Sequence, residues 1–447
     1  LKKILIANRG EIASRIIKTC RELGIETIAI YSDADKELPY VSEADYAFRI
    51  GEPPVLKSYL LADEILALAE REGADAIHPG YGFLSENAAF AEGAEKKGIV
   101  FIGPKSNLLS LMGDKVAARN SMKEAGVPVV PGSETGVSTV EEACETAGKI
   151  GYPVMLKASG GGGGIGMQLC ADEKSLVKAY QSTRTRAKSY FGNDEVFIEK
   201  YIENARHIEV QIFGDSHGNI LHLFDRDCSI QRRNQKVVEE SPSPFLSAEA
   251  RENMFKAAVN AAKHVSYENA GTIEFIVDEQ QQFYFLEMNT RLQVEHRVTE
   301  MVTNLDLVKW QILVARGEML PLGQEDIQQR GFAVEFRLYA EDPVKFLPSP
   351  GKVEVFTYPE SKEGFLVDAA YQQGNTVSPF YDPMIAKVIV HGESRDHTLK
   401  KARQLLEQVK VEGIKTNLPL FLHLLGEEQY LSGSYTTSYL QQKSLVK

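Results

Sequence analysis

Alternation of apolar and polar positions divides the chain into three stretches. Residues 1–113 pass from KKILIAN, strand-like, to GEIASRIIKTCRELG, which has helical spacing, and back to a strand in ETIAIYSD. LLADEILALAEREG, ADAIHPG, ENAAFAEGAEKKG and IVFIG repeat the rhythm. Such βαβ alternation predicts a parallel sheet covered by helices. Residues 114–330 open on a helix that Asp114 can cap and Gly126 ends, with Pro128 and Pro131 marking a boundary. Strand-like YPVMLK, FIEKYI, HIEVQIFG and NILHLFDRDC follow, then helical SAEARENMFKAAVNAAKHVSY and NLDLVKWQILVARGEML. Beyond about 330, FAVEFRLYAE, KVEVFTY and MIAKVIVHG have period two and lead into the helix HTLKKARQLLEQVKV, an α+β pattern. The expected class is therefore α/β and α+β, with a parallel-sheet α/β domain first and an α+β domain last.

One stretch concentrates candidate chemistry: GTIEFIVDEQQQFYFLEMNTRLQVEHRVTEM, Gly271 to Met301. TIEFIV and FYFLEMN read as a hairpin across a polar DEQQQ loop. Side chains alternate across a strand. If the extended conformation continues past Asn289, then Glu287, Asn289, Arg291, Gln293 and Glu295 share one face, with Glu274 beside them. Phe283 and Phe285 fall on that face too, which points to partial burial. Buried charges are costly unless paired or bound to a metal, so the row predicts a metal and anion site.

Composition narrows the function. A formal net charge of −12 over 447 residues argues against a broad nucleic-acid surface. No apolar run of about 18 residues suggests a membrane helix. The opening residues, LKKILIANRG, read as a strand and turn rather than as a secretory or transit segment. Cys20, Cys144, Cys170 and Cys228 are far apart and form no CxxC, which fits free thiols in a reducing compartment. The nine histidines form no HxxxH or HExxH pattern, so zinc is not expected.

Several motifs carry competing readings. NRGEIA after the first strand is not a GxGxxG fingerprint. HPGYGFLSEN is either a tight turn or a ligand site at a strand's carboxyl end. Gly160–Gly164 lack the GK[ST] of a P-loop; a linker is the bland alternative, but two apolar strands flank them. A hairpin whose glycine loop closes over phosphates, with Lys157 as counter-charge, is favoured. Lys115 is either functional or simply exposed. Glu199 and Lys200 in FIEKYI suit either a hinge reading an adenine edge or an amphipathic edge strand. Arg232, Arg233 and Lys236 suggest an anion site in an acidic chain, a solvated loop being the alternative. His207 is either a phosphate contact or a satisfied polar residue. Arg337, between Phe336 and Leu338, points opposite to both.

Taken together, HPGYGFLSEN, MGDK, KASGGGGG, FIEKYIENARHIEVQ, RDCSIQRRNQKVVEE, EMNTRLQVEH, AEDP…FLPSPG and GIKTN resemble the biotin carboxylase component of biotin-dependent carboxylases, members of the ATP-grasp superfamily. The resemblance runs in order over essentially the whole chain. It implies an N-terminal domain over 1–113, an ATP-grasp core over 114–330 with a mobile glycine-rich lid subdomain over about 131–202, and a C-terminal domain over 331–447. It implies that ATP phosphorylates bicarbonate to carboxyphosphate and that the released CO2 carboxylates a carrier-bound biotin. By motif, Lys115, Lys157, Glu199, Lys200, Ile202, His207 and Gln231 would bind ATP. Gly162, Gly163, Gly164 and Met167 would belong to the lid. Glu274, Glu287 and Asn289 would hold Mg2+, or Mn2+ in its place. Lys236 would contact the transferring phosphate, while Arg291, Gln293 and Val294 would hold bicarbonate. Glu295 would be the general base, and Arg337 would stabilise the biotin enolate.

The same resemblance implies a cytoplasmic ligase working with a biotin carboxyl carrier and a carboxyltransferase, as the first half of an acyl-CoA carboxylase such as acetyl-CoA carboxylase. No biotinyl MKM motif occurs before Lys447, so the biotin is expected on a separate protein or segment. Two rivals remain: another ATP-grasp ligase, and a nucleotide-binding regulatory protein without turnover. Six positions depart from the family pattern. Ile165 follows the glycine run in place of Arg, Asn234 replaces His, Arg297 replaces Pro, and Ser438 stands where some members have a His near the nucleotide. Lys18 and Leu366 replace two arginines that help pair protomers in some members, which bears on any homodimer. If Arg297, in place of a stiff Pro, loosens the strand, Glu295 is the residue whose placement suffers first.

Overall fold

The computed structural model describes residues 1–160 and 166–443. The first stretch forms the parallel sheet expected, with five strands in the order Tyr46–Gly51, Glu26–Ser32, Lys3–Ile6, Ala76–His78, Val100–Phe101. Helices Gly10–Glu22, Ala62–Arg71 and Ala88–Lys96 connect it, their buried residues recurring at helical spacing. The edge strand Tyr46–Gly51 was not read from the sequence. Its polar residues and partly exposed face weaken the period-two signal there.

Two helices, Ser106–Gly113 and Lys115–Glu124, follow. Asp114 caps the second by accepting from the backbone N–H of Val116 (3.0 Å) and Ala117 (2.9 Å). Next comes a small antiparallel sheet with Val154–Ala158 at its centre, flanked by Met167–Cys170 and Val196–Lys200. The strands on either side of the glycine run are thus hairpin partners, in register from Lys157↔Met167 to Val154↔Cys170. Gly166 closes this hairpin at φ +77°, and a Cβ there would lie 2.9 Å from that of Ala158. Gly162, Gly163, Gly164 and Ile165 lie outside the described residues.

The largest element is an eight-stranded antiparallel sheet. Its order is Phe283–Asn289, Asn269–Val277, Arg206–Gly214, Ile220–Arg232, Gln235–Ser241, Phe332–Tyr339, Met384–Gly392, Phe365–Ala369. Strands on both sides of residue 330 therefore share one ladder, joined at Glu239↔Glu335. Helix Ala248–His264 packs on one part of it and helix His296–Thr303 on another. The main apolar core lies against this sheet, where Trp310 meets Phe213 edge-on at 5.5 Å and Phe336 meets Phe421 at 5.2 Å.

Two departures from the sequence reading matter for the site. The strand carrying Glu287 ends at Asn289; residues 290–295 form a turn and Glu295 precedes helix His296–Thr303. Helical spacing of buried His296, Val298, Thr299, Glu300 and Val302 explains why this segment coils. A bulge sets Glu274↔Glu287 beside Phe275↔Phe285, shifting the alternation by one residue. Phe285 and Met288 consequently join the core, and Leu286, Glu287 and Asn289 line a cavity.

Candidate active site

The three sheets meet around a cavity of about 750 Å³. It is lined by Lys115, Lys157, Met167, Glu199, Lys200, Ile202, His207, Gln231, Lys236, Glu274, Glu287, Asn289, Arg291, Gln293, Val294, Glu295 and Arg337. Every candidate among the described residues faces this one space. Asn234 and Ser438 line it as well.

One side is built by the small sheet. Lys157 and Glu199 sit on antiparallel neighbours and form an ion pair. Lys200, the next residue, turns its ammonium onto the carbonyls of Gly151 (2.8 Å) and Tyr152 (2.9 Å). The basic cluster Arg232–Lys236 resolves into separate jobs. Arg233 (φ 52°) and Asn234 (φ 63°) form a two-residue hairpin turn between the register pair Arg232↔Gln235. Positive φ at both centres is the geometry such turns need, and Asn tolerates it well. Arg232 turns to Glu341, whereas Lys236 reaches into the cavity.

Lys236 is the hub. Its Nζ donates to Glu209 Oε2, Glu274 Oε1 and Glu295 Oε1, each at 2.7 Å. Glu209 is held from behind by Arg226 Nε at 2.5 Å, a guanidinium with no solvent exposure. Glu295 Oε2 accepts from Arg337 Nη2 at 2.9 Å. Glu239 lies 2.5 Å from that nitrogen as an ion-pair contact. Burial works against charge on Glu295, yet Lys236, Arg337 and Arg226 hold its carboxyl well below the usual range. Burial is likewise overcome at Glu274, where Lys236 and His207 keep the carboxyl well below normal. Glu239 is different: burial, with the charge of Glu295, pushes it up to about 7 against the pull of Arg337.

His207 Nε2 sits 2.7 Å from Glu274 Oε2, and its Nδ1 accepts from the amide of Gln231 at 2.7 Å. That pattern fixes the proton on Nε2. Burial lowers the imidazole pKa, but Glu274 raises it further, for a net upward shift. Arg291 donates to Asn289 Oδ1 (2.9 Å), Gln293 Oε1 (2.6 Å) and Glu86 Oε2 (3.0 Å). Glu86 is the penultimate residue of the HPGYGFLSEN stretch, which also sends Tyr81 to Glu11. That stretch is thereby part of the site wall.

The donor set suits a hard divalent cation. Glu274 and Glu287 face each other across the ladder, and Mg2+ favours one or two carboxylates plus phosphates and water. Glu287 retains a 3.5 Å contact with Lys115, where phosphate oxygens would also be neutralised. Asn289 is a weaker match, because its oxygen accepts from Arg291.

Sequence reasoning missed Glu209, Arg226, Glu239 and Glu86. A signal existed for the first: Glu209 and Gln211 alternate with Ile208, Val210 and Ile212 on a strand that is buried throughout. Arg337, by contrast, was placed correctly from its apolar neighbours.

Residues 1–109 match the model for the biotin carboxylase N-terminal domain, 114–323 the carbamoyl-phosphate synthase L chain ATP-binding domain, and 335–442 the biotin carboxylase C-terminal domain. Biotin carboxylase 2 of Bacillus subtilis is 54% identical over 440 residues, covering 98% of this chain and 99% of its own. The biotin carboxylase of Pseudomonas aeruginosa is 50% identical over 444 residues, covering 99% of this chain and 98% of its own. The biotin carboxylase domain dimer of Hydrogenobacter thermophilus 2-oxoglutarate carboxylase, solved with MgADP, ADP and bicarbonate, superposes with a TM-score of 0.97. It is 48% identical and covers 100% of this chain and 99% of that one. The chain belongs to the biotin carboxylase family.

Proposed function

We infer that this chain uses ATP and bicarbonate to carboxylate a carrier-bound biotin. One observation carries the reading: Lys236 joins, through three 2.7 Å contacts, the carboxylates of the metal side and of the base side. Phosphoryl transfer asks mainly for positioning and charge neutralisation. Lys115, Lys157, Glu199, Lys200, Ile202, His207, Gln231 and Met167 bind the nucleotide, with Gly162, Gly163 and Gly164 in the lid. Glu274 and Glu287, with Asn289, hold Mg2+ or Mn2+, which supplies charge neutralisation at the phosphates when bound. Arg291, Gln293 and the Val294 backbone hold bicarbonate. Glu295 takes its proton, aided once Lys236 turns from the Glu295 carboxylate to the phosphate, because losing that contact raises the base's pKa. Arg337, already beside Glu295, stabilises the negative charge that develops on the biotin ureido oxygen.

The division into 1–113, 114–330 with the lid over about 131–202, and 331–447 belongs to the same reading. Carboxybiotin then passes to a separate carboxyltransferase, with an acyl-CoA such as acetyl-CoA as acceptor. Relatives of this family are subunits of pyruvate, 2-oxoglutarate and methylcrotonoyl-CoA carboxylases. Pairing of two copies would use the recess lined by Lys18, Arg297 and Leu366, without the two arginines that help elsewhere. No helix among the described residues is long and apolar enough to cross a membrane, and four free cysteines, three of them buried, suit a reducing cytoplasm.

ATP hydrolysis measured with and without bicarbonate, then with free biotin, tests the reading. Mg2+-dependent, bicarbonate-dependent turnover stimulated by biotin is expected. Nucleotide binding without turnover would favour the regulatory rival, and turnover indifferent to bicarbonate the other ligase.

A further inference from the structure

Glu295 sits in a turn, so its aim depends on how the turn is held at either end. Upstream, Lys387 Nζ donates to the carbonyl of Val294 at 2.9 Å. Downstream, Arg297 forks onto Asp368, Nε to Oδ2 at 2.7 Å and Nη2 to Oδ1 at 3.0 Å, while its Nη1 donates to Glu300 at 2.6 Å. Asp368 and Lys387 are direct register partners on neighbouring strands, with Nζ 3.9 Å from Oδ2. The ring therefore closes: Val294, Glu295, His296, Arg297, Asp368, Lys387 and back to Val294. Lys387 is fully buried, and the side chains of Arg297 and Asp368 are each 12% exposed. Glu11 gives Lys387 a further carboxylate at 3.2 Å.

We propose that Arg297, Asp368 and Lys387 form a clamp that positions Glu295 between Lys236 and Arg337, with Arg297 supplying by ion pairing the rigidity that a Pro would supply through its ring. None of the three is placed on reacting atoms; they act through the turn. A bidentate guanidinium–carboxylate pair fixes orientation as well as distance, because the planar fork cannot rotate without losing a bond. The buried setting limits screening of these charges. Arg297 therefore does not leave the segment loose: its side chain has three hydrogen bonds, and Glu295 lies between two tethered residues.

The proposal rests on Glu295 being the base, so Glu295→Gln accompanies the test. In the full chain, bicarbonate-dependent ATP hydrolysis is followed for Arg297→Ala, Arg297→Lys, Arg297→Pro and Asp368→Asn. The readouts are kcat, the KM values for ATP and bicarbonate, the pH–rate profile, the melting temperature and the mass in solution. Misplacing the base should lower kcat about tenfold to a hundredfold for Arg297→Ala and Asp368→Asn while KM for ATP changes less than about threefold. The acid limb of the pH profile should move, because the contacts that set the base's pKa have shifted. Arg297→Lys, which keeps charge but not the fork, should fall near Arg297→Ala, and Arg297→Pro should recover most of the loss. Asp368→Asn is judged only if it folds; the three Arg297 variants stand without it. If Glu295→Gln abolishes turnover but Arg297→Ala stays within twofold with an unchanged pH profile, the clamp is wrong. A loss that follows only melting temperature or solution mass also overturns it. If Glu295→Gln itself leaves turnover intact, the assignment of the base fails instead.

Discussion

Replacing Lys236 with Met keeps the length of the side chain and removes its charge. Three buried carboxylates then lose a 2.7 Å partner together. The cost is less than three separate broken pairs, because each carboxylate keeps a second hydrogen-bond or ion-pair partner. Glu209 retains Arg226 at 2.5 Å, Glu274 retains His207 at 2.7 Å, and Glu295 retains Arg337 at 2.9 Å. Truncating one member of a buried ion cluster costs about 3–5 kcal/mol, and that is the expected loss near neutral pH. Its pH dependence has a definite sign. With Lys236 present, Glu274 and Glu295 are held well below the usual carboxylate range, so their ionised forms add stability above that range. Without the ammonium, burial drives their pKa values up, and a carboxylate raised on folding loses stability as pH climbs through its folded value. The deficit against wild type should therefore be larger at pH 8 than near pH 5. Denaturant unfolding at both values, without Mg2+ or nucleotide, measures it. Bicarbonate-dependent ATP turnover should fall by about 10²-fold or more, the scale for losing one preorganised charge donor. Equal deficits at the two pH values would mean that only packing was lost, and turnover within a few-fold of wild type would remove Lys236 from phosphoryl transfer.

Three further outcomes follow from the same geometry. Arg337→Ala should cut biotin carboxylation by about 10²-fold while ATP affinity changes less than about threefold, since Arg337 contacts Glu295 and Glu239 rather than the Lys157–Glu199 side; equal losses in carboxybiotin formation and ATP binding would undo its role. Glu239, raised from 4.5 to about 7 mainly by burial, binds a proton on folding between those values, so wild-type stability drops as pH rises through that window. Glu239→Gln should remove this slope and gain stability relative to wild type at pH 8 over pH 5, by up to about 3 kcal/mol; a difference that is flat with pH in denaturant titrations contradicts it. Glu287→Gln should raise the half-saturating Mg2+ concentration about tenfold in the turnover assay with little change in the unfolding midpoint of the free protein, because its contact with Lys115 is long, at 3.5 Å. An unchanged Mg2+ requirement would exclude Glu287 as a ligand.

Much of the fold was legible because its signals are local. Asp114 before a helical run, Gly126 after it, and paired β-branched runs about DSHG and DEQQQ each fix an element without knowledge of its neighbours. What failed to show was what depends on distant partners. KVEVFTY reads as one strand, but Gly351–Lys352 and Val355–Thr357 pair with different strands, Thr376–Val377 and Lys410–Glu412. Strand Phe365–Ala369 was not read at all. Asp368 and the neighbouring Leu366 are paired to a buried strand, and only the sheet shows why a charged residue belongs there.

The site divides in the same way. Period-two alternation selected Glu287, Asn289, Arg291, Gln293 and Glu295, and all five line the cavity, yet the conformation that gathers them differs from the one assumed. A straight strand of that length would carry Glu295 about 26 Å from Glu287 at roughly 3.3 Å per residue, too far for one lysine to bridge Glu274 and Glu295. Ending the strand at Asn289 folds the downstream residues back, so that Gln293 donates to Glu274 at 3.0 Å and Glu295 meets the same Lys236 ammonium. Alternation could not reveal this, because the turn is fixed from outside the segment, by Glu86, Arg226, Lys387 and Asp368. Arg226 reaches Thr299 at 2.9 Å and thereby pins the helix that follows Glu295 to the sheet that carries Glu209. Residue identity was therefore readable from the segment alone, whereas the convergence that makes those residues a site required partners drawn from four other parts of the chain.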